Sequence, residues 1–391
     1  MNTIGDIFRR NGPGYRSDHL LPLNQLKAMS AIEHCRTASL GGHILQCNDC
    51  GTKLIYYHSC RNRHCPQCQG ETKKQWIEKR QEEMLPIAYY HTIFTVPSEL
   101  NGVIQQNQKL MYGILFKAAA ETLTELSLDR KYLGAKIGFM SVLHTWGQNL
   151  MQHPHLHVLI PGGGISGQGD YWLDISHRRY FMPVHVLSQV FRGKFMHLFM
   201  QLHLKGRIKY FGEQAYLEKP KQFGQFKQRL FSKGWIVHVR PPFSTASIVI
   251  EYLSRYLNRV AISNSRIMSN DSNKVSFRWK DNRDGKEKIM NVTPVEFIRR
   301  YLLHVLPDRF VKIRYYGFLS NRNRAINVEK CHRLITFREK PESQVTKDDS
   351  LGQRSSEHFT TVKPSYIIQC ICCKGIMEKR GVVPRSRHGP D

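Results

Sequence analysis

Cysteines with the spacing of metal ligands are concentrated near the start of the chain. Six of the ten cysteines lie between Cys35 and Cys68. Two pairs of the type C-x2-C occur there, and two such pairs can hold one tetrahedral zinc ion because each presents two thiolates from a tight turn. This spacing predicts a zinc site made of Cys47, Cys50, Cys65 and Cys68.

A second set of potential zinc ligands is interleaved with the first. Cys60 and His64 are four residues apart, so they would face the same way on a helix. Together with Cys35 and His43 they could complete a second site. The alternative is that Cys35 and Cys60 are small buried hydrophobes. In that case His34, His58 and His64 are polar residues facing phosphate. We therefore expect one zinc ion or two.

A further group of cysteines lies near the carboxyl end. Cys370, Cys372 and Cys373 form one isolated knuckle, and Cys331 and His332 precede it at a distance. A third zinc site there is a possible interpretation, but a single knuckle provides too few ligands on its own.

Basic residues surround the amino-terminal knuckles. A zinc ion with four protein ligands has no open position for chemistry, so zinc in this module is expected to be structural. DNA contact is the natural role of the nearby positive charges, which are Arg36, Arg61, Arg63, Lys73 and Lys74.

A histidine-rich segment in the middle of the chain could hold a catalytic ion. In an extended strand His155 and His157 point to one face while Leu156, Val158 and Ile160 point to the other. Two imidazoles on one face can bind a single divalent ion, and the open coordination positions suit a Lewis acid that acts on a phosphate.

Three residues are candidates for the third ligand of such an ion. Gln148 lies seven residues before His155, where an antiparallel neighbour could bring its amide oxygen to the same ion. His144 and His153 are the rival candidates. We take Gln148 as the expected ligand, with magnesium or manganese as the expected ion.

Two tyrosines later in the chain could act as nucleophiles. Tyr252 and Tyr256 are four residues apart, so both hydroxyls would emerge along one ridge of a helix. An apolar stripe orients that helix, formed by Val249, Leu253, Leu257 and Val260. A phenol can attack a phosphodiester once its proton is drawn off, and the phosphotyrosine conserves the energy of the bond. Tyrosines at this spacing are more often packing residues, so the pattern is weak alone.

The elements that must position these residues indicate an α+β fold with an antiparallel sheet. Segments with strand character are irregularly spaced, at 89–96, 137–145, 156–160 and 235–240. This spacing favours an antiparallel arrangement over a βαβ series. Leu187, Phe191, Phe195, Leu198 and Leu202 predict a helix between two of the strands. Alternation at 275–279 and a capping box at 293–296 predict a hairpin followed by a helix.

Three regions are expected. Residues 1–85 form a small zinc-binding domain that contacts DNA. Residues 86–326 form the second region, which contains the histidine strand and both tyrosines and has a helical insertion at about 165–234. Residues 327–391 form a polar tail, because 339–352 is rich in charged and small polar residues.

The overall charge calls for a polyanionic partner. Lys and Arg number 58 against 31 Asp and Glu, which gives a formal net charge of +27 spread along the whole chain. Nucleic acid fits this distribution better than a membrane surface does. Proteins that bind an anionic membrane surface more often use a single basic amphipathic segment. With no run of 18 apolar residues and no signal-peptide core, we expect a cytoplasmic protein with reduced cysteines and no membrane partner.

Taken together, these motifs resemble the two-tyrosine HUH transposases of bacterial rolling-circle insertion sequences, a family that includes the common-region elements. The matching stretches are CRTASLGGH (35–43), SCRNRHCPQCQ (59–69), HTWGQNLMQHPHLHVLIPGGG (144–164), YLSRYLNRVAISNSRI (252–267) and HVLPDRFVKIRYYGFLSNRNR (304–324).

The resemblance implies a transposase zinc-binding domain followed by an HUH nuclease domain. Such enzymes cut single-stranded DNA of the element ends and target, form a 5'-phosphotyrosine link and free a 3'-hydroxyl. Carried over by position, His155 and His157 bind magnesium or manganese, and Tyr252 and Tyr256 are the nucleophiles. A rolling-circle replication initiator or relaxase is the first alternative. A zinc protein that binds nucleic acid without catalysis is the second.

Overall fold

The fold is known from a computed structural model of the chain. The structure describes residues 3–68, 77–78, 83–175, 182–243, 261–281, 283–338 and 368–386. All statements below concern these residues.

The helices and strands follow one another in a mixed order. The α-helices are α1 (Ile4–Asp18), α2 (Leu23–His34), α3 (Asn101–Gln106), α4 (Gln108–Leu128), α5 (Val184–Leu204), α6 (Pro220–Ser232), α7 (Pro294–Leu302) and α8 (Arg324–Arg338). Short 3-10 helices span Ala38–Leu40, Ser98–Leu100, Gly212–Glu218 and Asn264–Arg266. The strands are β1 (Gly42–Cys47), β2 (Lys53–Tyr57), β3 (Tyr89–Thr95), β4 (Ala135–Lys136), β5 (Gly138–Trp146), β6 (Gln152–Pro161), β7 (Gly163–Ser166), β8 (Trp172–Asp174), β9 (Val237–Phe243), β10 (Ile267–Asn270), β11 (Val275–Lys280), β12 (Glu287–Val292), β13 (Ile313–Gly317), β14 (Ile368–Gln369) and β15 (Ile376–Val383).

A five-stranded sheet forms the centre of the fold. Its strand order is β13-β5-β6-β3-β9, and every neighbouring pair is antiparallel. The four segments predicted to be strands are β3, β5, β6 and β9, so the antiparallel α+β prediction is confirmed. Smaller sheets have the orders β14-β15-β1-β2, β10-β11-β12 and β4-β7-β8.

The alternation of β6 separates a packed face of the sheet from a face with polar groups. Leu156, Val158 and Ile160 are fully buried in the main core, which also contains residues of α4 and α5. Each large apolar side chain buried there contributes about 1.5–3 kcal/mol. His155 and His157 consequently point to the opposite face, as the sequence predicted.

The predicted helix between two strands is α5. Leu187, Phe191 and Phe195 form its buried stripe, and they join the main core together with residues of α4. The region expected to be a helical insertion at about 165–234 also contains α6 and begins with strands β7 and β8.

The amino-terminal helices share a core with residues far along the chain. Phe8 of α1 packs edge-on against Tyr301 of α7, at 5.2 Å between ring centroids. Cys35, Phe277 and Phe297 belong to the same buried cluster. The predicted hairpin and following helix are confirmed as β11, β12 and α7. The amino-terminal module therefore shares a core with β11 and α7.

The carboxyl-terminal region differs from the expected polar tail. Val328, Cys331 and Ile335 lie on one side of α8 and are buried in a cluster on the second face of the central sheet. Strand β15 pairs with β1, so residues 368–386 return to the amino-terminal module. The prediction was wrong here because a few apolar residues at helical spacing are sufficient to dock a mostly polar helix.

Within the part of the chain that the structure describes, no helix is both long and apolar enough to cross a membrane.

Candidate active site

Three histidines converge on the second face of the central sheet. His144 of β5 lies opposite His155 of β6 in the strand register. His157 follows two residues later on the same face. The ligand nitrogens of these three side chains all lie within 4.8 Å of one another.

Two ring nitrogens of this cluster are separated by the distance expected of ligands to one ion. His155 donates from Nδ1 to the backbone oxygen of His153 at 2.6 Å, so its Nε2 is left as an acceptor. Nε2 of His155 and Nε2 of His157 are 3.1 Å apart. Two neighbouring ligands at about 2.1 Å from one octahedral ion would be about 3.0 Å apart. This spacing fits a shared divalent ion.

A fourth histidine supports the cluster from β3. Nε2 of His91 is 2.9 Å from Nδ1 of His157, and the two rings are parallel within 5°. In the tautomer in which Nδ1 of His157 donates to His91, this bond fixes the ring and keeps Nε2 available, as outer hydrogen bonds do for metal-bound histidines. His91 itself is 1% exposed.

The imidazoles of His91, His155 and His157 are neutral at ordinary pH. Burial lowers the pKa of His155 to about 4 and that of His91 to about 3. Burial, followed by the neighbouring imidazoles of His144 and His155, holds the pKa of His157 well below its usual value. Neutral imidazoles are the form that binds metal.

An aromatic wall closes one side of the cluster. The ring of Trp146 stacks on His144 at 4.7 Å between centroids and meets His304 edge-on at 5.9 Å. His304 contacts the Leu150 backbone oxygen through Nε2 and the Thr145 hydroxyl through Nδ1. Burial lowers the pKa of His304 to about 4, so the His304 ring is neutral where it packs against Trp146.

The structure adds His144 to the predicted histidine pair. His153 contributes a backbone oxygen, and its ring lies outside the three-nitrogen cluster. Gln148 lies in the turn after β5, where its backbone oxygen accepts a hydrogen bond from Arg266 at 2.6 Å. Whether the amide of Gln148 also binds the ion stays a prediction.

Tyr252 and Tyr256 lie outside the described residues. The described residues on either side of their segment are Phe243 and Ala261. Phe243, at the end of β9, has its ring centroid 6.4 Å from that of His91. Ala261, where the description resumes, lines a small cavity together with Trp146 and His304.

A groove with a volume of about 430 Å³ begins beside the histidines. It is lined by Gln148 and His153 on one side and by Trp279, Lys280 and Arg283 on the other. An aromatic ring next to cationic side chains is the combination that binds single-stranded nucleic acid.

The cysteines separate into two groups of four. The first group lies at the base of α2 and consists of Cys35, Cys60, Cys65 and Cys68. Sγ of Cys68 is 3.5 Å from Sγ of both Cys35 and Cys60. Hydrogen bonds from the neighbouring thiols lower the pKa of Cys68. A tetrahedral ion with bonds of about 2.3 Å would space its thiolates at about 3.8 Å, so the group fits zinc.

The predicted grouping of the zinc ligands was therefore wrong. Cys65 and Cys68 associate with Cys35 and Cys60, whereas Cys47 and Cys50 lie beside Cys370 and Cys373. The reason is that β1 carries the first knuckle away from the second and pairs with β15.

The histidines proposed for the second zinc site have other partners. Nε2 of His43 is 3.1 Å from Nε2 of His58. The backbone oxygen of His64 accepts from Tyr301, and burial lowers the pKa of the His64 ring to about 3. Neither belongs to a ligand cluster among the described residues.

The suggested third site at the carboxyl end is also corrected. Cys331 is buried against the central sheet, and this burial raises its pKa to about 12. Cys372 is exposed and lies outside both groups of four, as does His332 within the described chain.

The basic residues expected to contact DNA have mixed surroundings. Arg36 donates to the Tyr56 hydroxyl, and Arg63 donates to the backbone oxygen of Phe310 at 2.7 Å. Arg61 is exposed. Lys73 and Lys74 lie outside the described residues. DNA contact by these groups remains a prediction.

Sequence reasoning missed His91, the wall of Trp146 and His304, and the partner of the first knuckle. The first two have no local motif. The third had one, because Cys370 and Cys373 repeat the C-x2-C spacing of Cys47 and Cys50.

Comparison with known proteins assigns families to both halves of the chain. The family model described as "Transposase zinc-binding domain" matches residues 7–96, and the model described as "Putative transposase" matches residues 138–326. The "Putative transposase y4qJ" of Sinorhizobium fredii is 46% identical over 334 residues, which cover 85% of this chain and 84% of the relative. The transposase for insertion sequence element IS801 of Pseudomonas savastanoi pv. phaseolicola is 25% identical over 304 residues, which cover 76% of this chain and 71% of the relative. No solved structure matches the chain significantly.

Proposed function

The chain belongs to the insertion-sequence transposase family that includes the IS801 transposase, and we propose that it cuts and rejoins single-stranded DNA through a 5'-phosphotyrosine intermediate. The observation that carries this proposal is the cluster of His144, His155 and His157, with His91 behind it. Family membership favours a transposase over a replication initiator, a relaxase or a non-catalytic zinc protein.

The histidine cluster fits a divalent ion in its donor chemistry. The rings of His155 and His157 are neutral, and both are oriented by hydrogen bonds to groups outside the cluster. Oxygen atoms of a DNA phosphate, which magnesium and manganese prefer, would complete the coordination. A bound ion would supply Lewis-acid polarisation of the scissile phosphate.

We assign the nucleophiles to Tyr252 and Tyr256. In the first step the phenol oxygen bonds to phosphorus, and the bond to the 3' oxygen breaks. The departing oxygen takes up a proton to become a 3'-hydroxyl, and the phenol proton passes to solvent or a base. A free 3'-hydroxyl can later attack the phosphotyrosine, so joining consumes neither water nor ATP. The position of Phe243 near His91, just before the segment that contains both tyrosines, supports this assignment.

Single-stranded DNA is the proposed substrate. The groove near the cluster offers Trp279 for base stacking and Lys280 for phosphate contact, while Arg283 in the same groove is paired with Asp281. The net charge of +27 supplies the salt-dependent part of the affinity.

A covalent-adduct assay tests the proposal. Purified protein is incubated with labelled single-stranded oligonucleotides of the element ends and manganese, then run on a denaturing gel. We expect an adduct with the wild type, an adduct with one single phenylalanine variant, and no adduct with the double Tyr252→Phe, Tyr256→Phe variant. Tyr171→Phe, at an exposed tyrosine of the same fold, is the matched control and should behave as the wild type.

The histidine arm of the assay separates chemistry from binding. His155→Ala combined with His157→Ala should abolish cleavage while DNA binding, measured by fluorescence anisotropy, persists and weakens with salt. An adduct from the double phenylalanine variant, or cleavage in excess chelator, would contradict the proposal.

A further inference from the structure

Two cysteine knuckles from opposite ends of the chain meet on one sheet. Sγ of Cys47 is 3.4 Å from Sγ of Cys373, and Sγ of Cys50 is 3.6 Å from Sγ of Cys370. All four sulfur atoms lie within 4.8 Å of one another. This is the same arrangement as in the group around Cys35, although the two halves are more than 300 residues apart in the chain.

The two knuckles have the same backbone hydrogen bonds. In the first, Cys47 N donates to Thr52 O at 2.9 Å, and Gly51 N donates to Cys47 O at 3.1 Å. In the second, Cys370 N donates to Gly375 O at 2.8 Å, and Lys374 N donates to Cys370 O at 3.0 Å. The offsets along the chain are identical in both.

The turn residue of each knuckle has a positive φ. The value is 72° at Gly51 and 64° at Lys374. For lysine this left-handed conformation is uncommon and costs about 1–2 kcal/mol. The second knuckle thus adopts an unfavourable turn that points its two thiols at the first.

The strands on either side bring the knuckles together in register. Cys47 of β1 pairs with Met377 of β15, and Asn48 N donates to Ile376 O at 3.0 Å. A side chain at Gly375 would place its Cβ 2.0 Å from the carboxylate of Asp49 and 3.1 Å from Sγ of Cys47. The absence of a side chain at residue 375 therefore leaves room for the Asp49 carboxylate and the Cys47 thiol.

We propose that Cys47, Cys50, Cys370 and Cys373 hold a structural zinc ion that fastens the carboxyl-terminal strands to the amino-terminal domain. Four thiolates at about 2.3 Å from one ion would be about 3.8 Å apart, close to the spacing observed. The site carries two negative charges when filled, and the exposed side chains of Lys53, Lys374 and Lys379 lie on the same sheet or its turns.

This zinc site goes beyond the proposed nuclease function and does not depend on it. The zinc-binding domain matched by comparison ends at residue 96, so it contains only the Cys47 half of the ligand set. The completed module is therefore formed by both ends of the described chain.

Zinc content of the full-length protein tests the site. Protein purified under reducing conditions should contain about two zinc ions per chain, one in each group of four. The double variant Cys370→Ser, Cys373→Ser should contain about one, and so should Cys47→Ser, Cys50→Ser. Combining all four substitutions should still leave about one, because both pairs hold the same ion. Cys372→Ser is the matched control and should keep both ions.

A substitution that keeps a metal ligand at residue 373 provides a second test if a double variant folds poorly. Cys373 is exposed, so Cys373→His should retain the fold and the metal but change the ligand set from four sulfurs to three and a nitrogen. With cobalt in place of zinc, the visible absorption bands of this variant should shift to shorter wavelength. Two zinc ions retained in Cys370→Ser, Cys373→Ser, or an unchanged cobalt spectrum in Cys373→His, would overturn the proposal.

Discussion

Replacing His91 by phenylalanine should weaken metal binding without removing a ligand. The substitution keeps an aromatic ring in a site where the native ring is 1% exposed and parallel to His157. It removes the acceptor that lies 2.9 Å from Nδ1 of His157. The proton of His157 is then no longer held on Nδ1, so Nε2 is protonated in part of the population and cannot bind the ion.

The size of the effect follows from the lost hydrogen bond. A buried donor left without its partner costs about 1–3 kcal/mol. Because about 1.4 kcal/mol corresponds to a tenfold change in an equilibrium constant, metal affinity should fall roughly 10- to 100-fold. Cleavage at saturating manganese should recover to near the wild-type rate, since the three ligands remain.

The assay is the rate of adduct formation as a function of manganese concentration. The midpoint for His91→Phe should move to roughly 10- to 100-fold higher manganese. Thr92→Val is the matched control, because Thr92 is the next residue of β3, is buried on the opposite face and has a hydroxyl without a hydrogen-bond partner. An unchanged midpoint for His91→Phe would refute the positioning role, and a midpoint shifted equally in Thr92→Val would assign the effect to general loosening of the strand.

Two further predictions concern stability. Hydrogen bonds and charge from Arg299, together with Arg300, lower the pKa of Glu296 to about 2. This carboxylate therefore stabilises the fold above its ordinary pKa near 4.5, and the contribution is lost as pH falls toward 2. Glu296→Gln should reduce the difference in melting temperature between pH 5 and pH 3, and an unchanged difference would contradict this. Gly317→Ala should lower the free energy of unfolding by roughly 2 kcal/mol or more in a urea titration. The reason is that φ is 58° and the new Cβ would lie 1.8 Å from the backbone oxygen of Ile137. Gly167→Ala, which has open space around it, is the control and should have little effect.

The parts of the site that follow from local pattern could be predicted from the sequence. Alternation in β6 is sufficient to place His155 and His157 on one face, because the apolar residues between them require the core. The same holds for the buried stripe of α5 and for the Thr293 cap of α7, whose hydroxyl accepts from Glu296 N. In each case the determining contacts lie within a few residues of one another.

The partners that complete the histidine site could not be predicted in the same way. His91 reaches His157 only because β3 pairs with β6, in a register that sets Ile93 opposite His157. His144 was one of three candidates for the third position, and the pairing of β5 with β6 brings it opposite His155. Strand pairing is decided by packing of the whole sheet, which no single segment encodes.

The cysteine groups show the same principle for residues more than 300 positions apart. Each knuckle is specified locally, by two cysteines and a turn residue, and each provides two of the four ligands of a site. Which halves combine depends on the register of β1 against β15, where Cys47 lies opposite Met377 and Gly42 opposite Val383. A shift of that register by one residue would turn every side chain of β15 to the other face and move Cys370 away from Cys50. The ligand set therefore depends on strand pairing, and the sequence motif alone leaves the partner of Cys47 and Cys50 undecided.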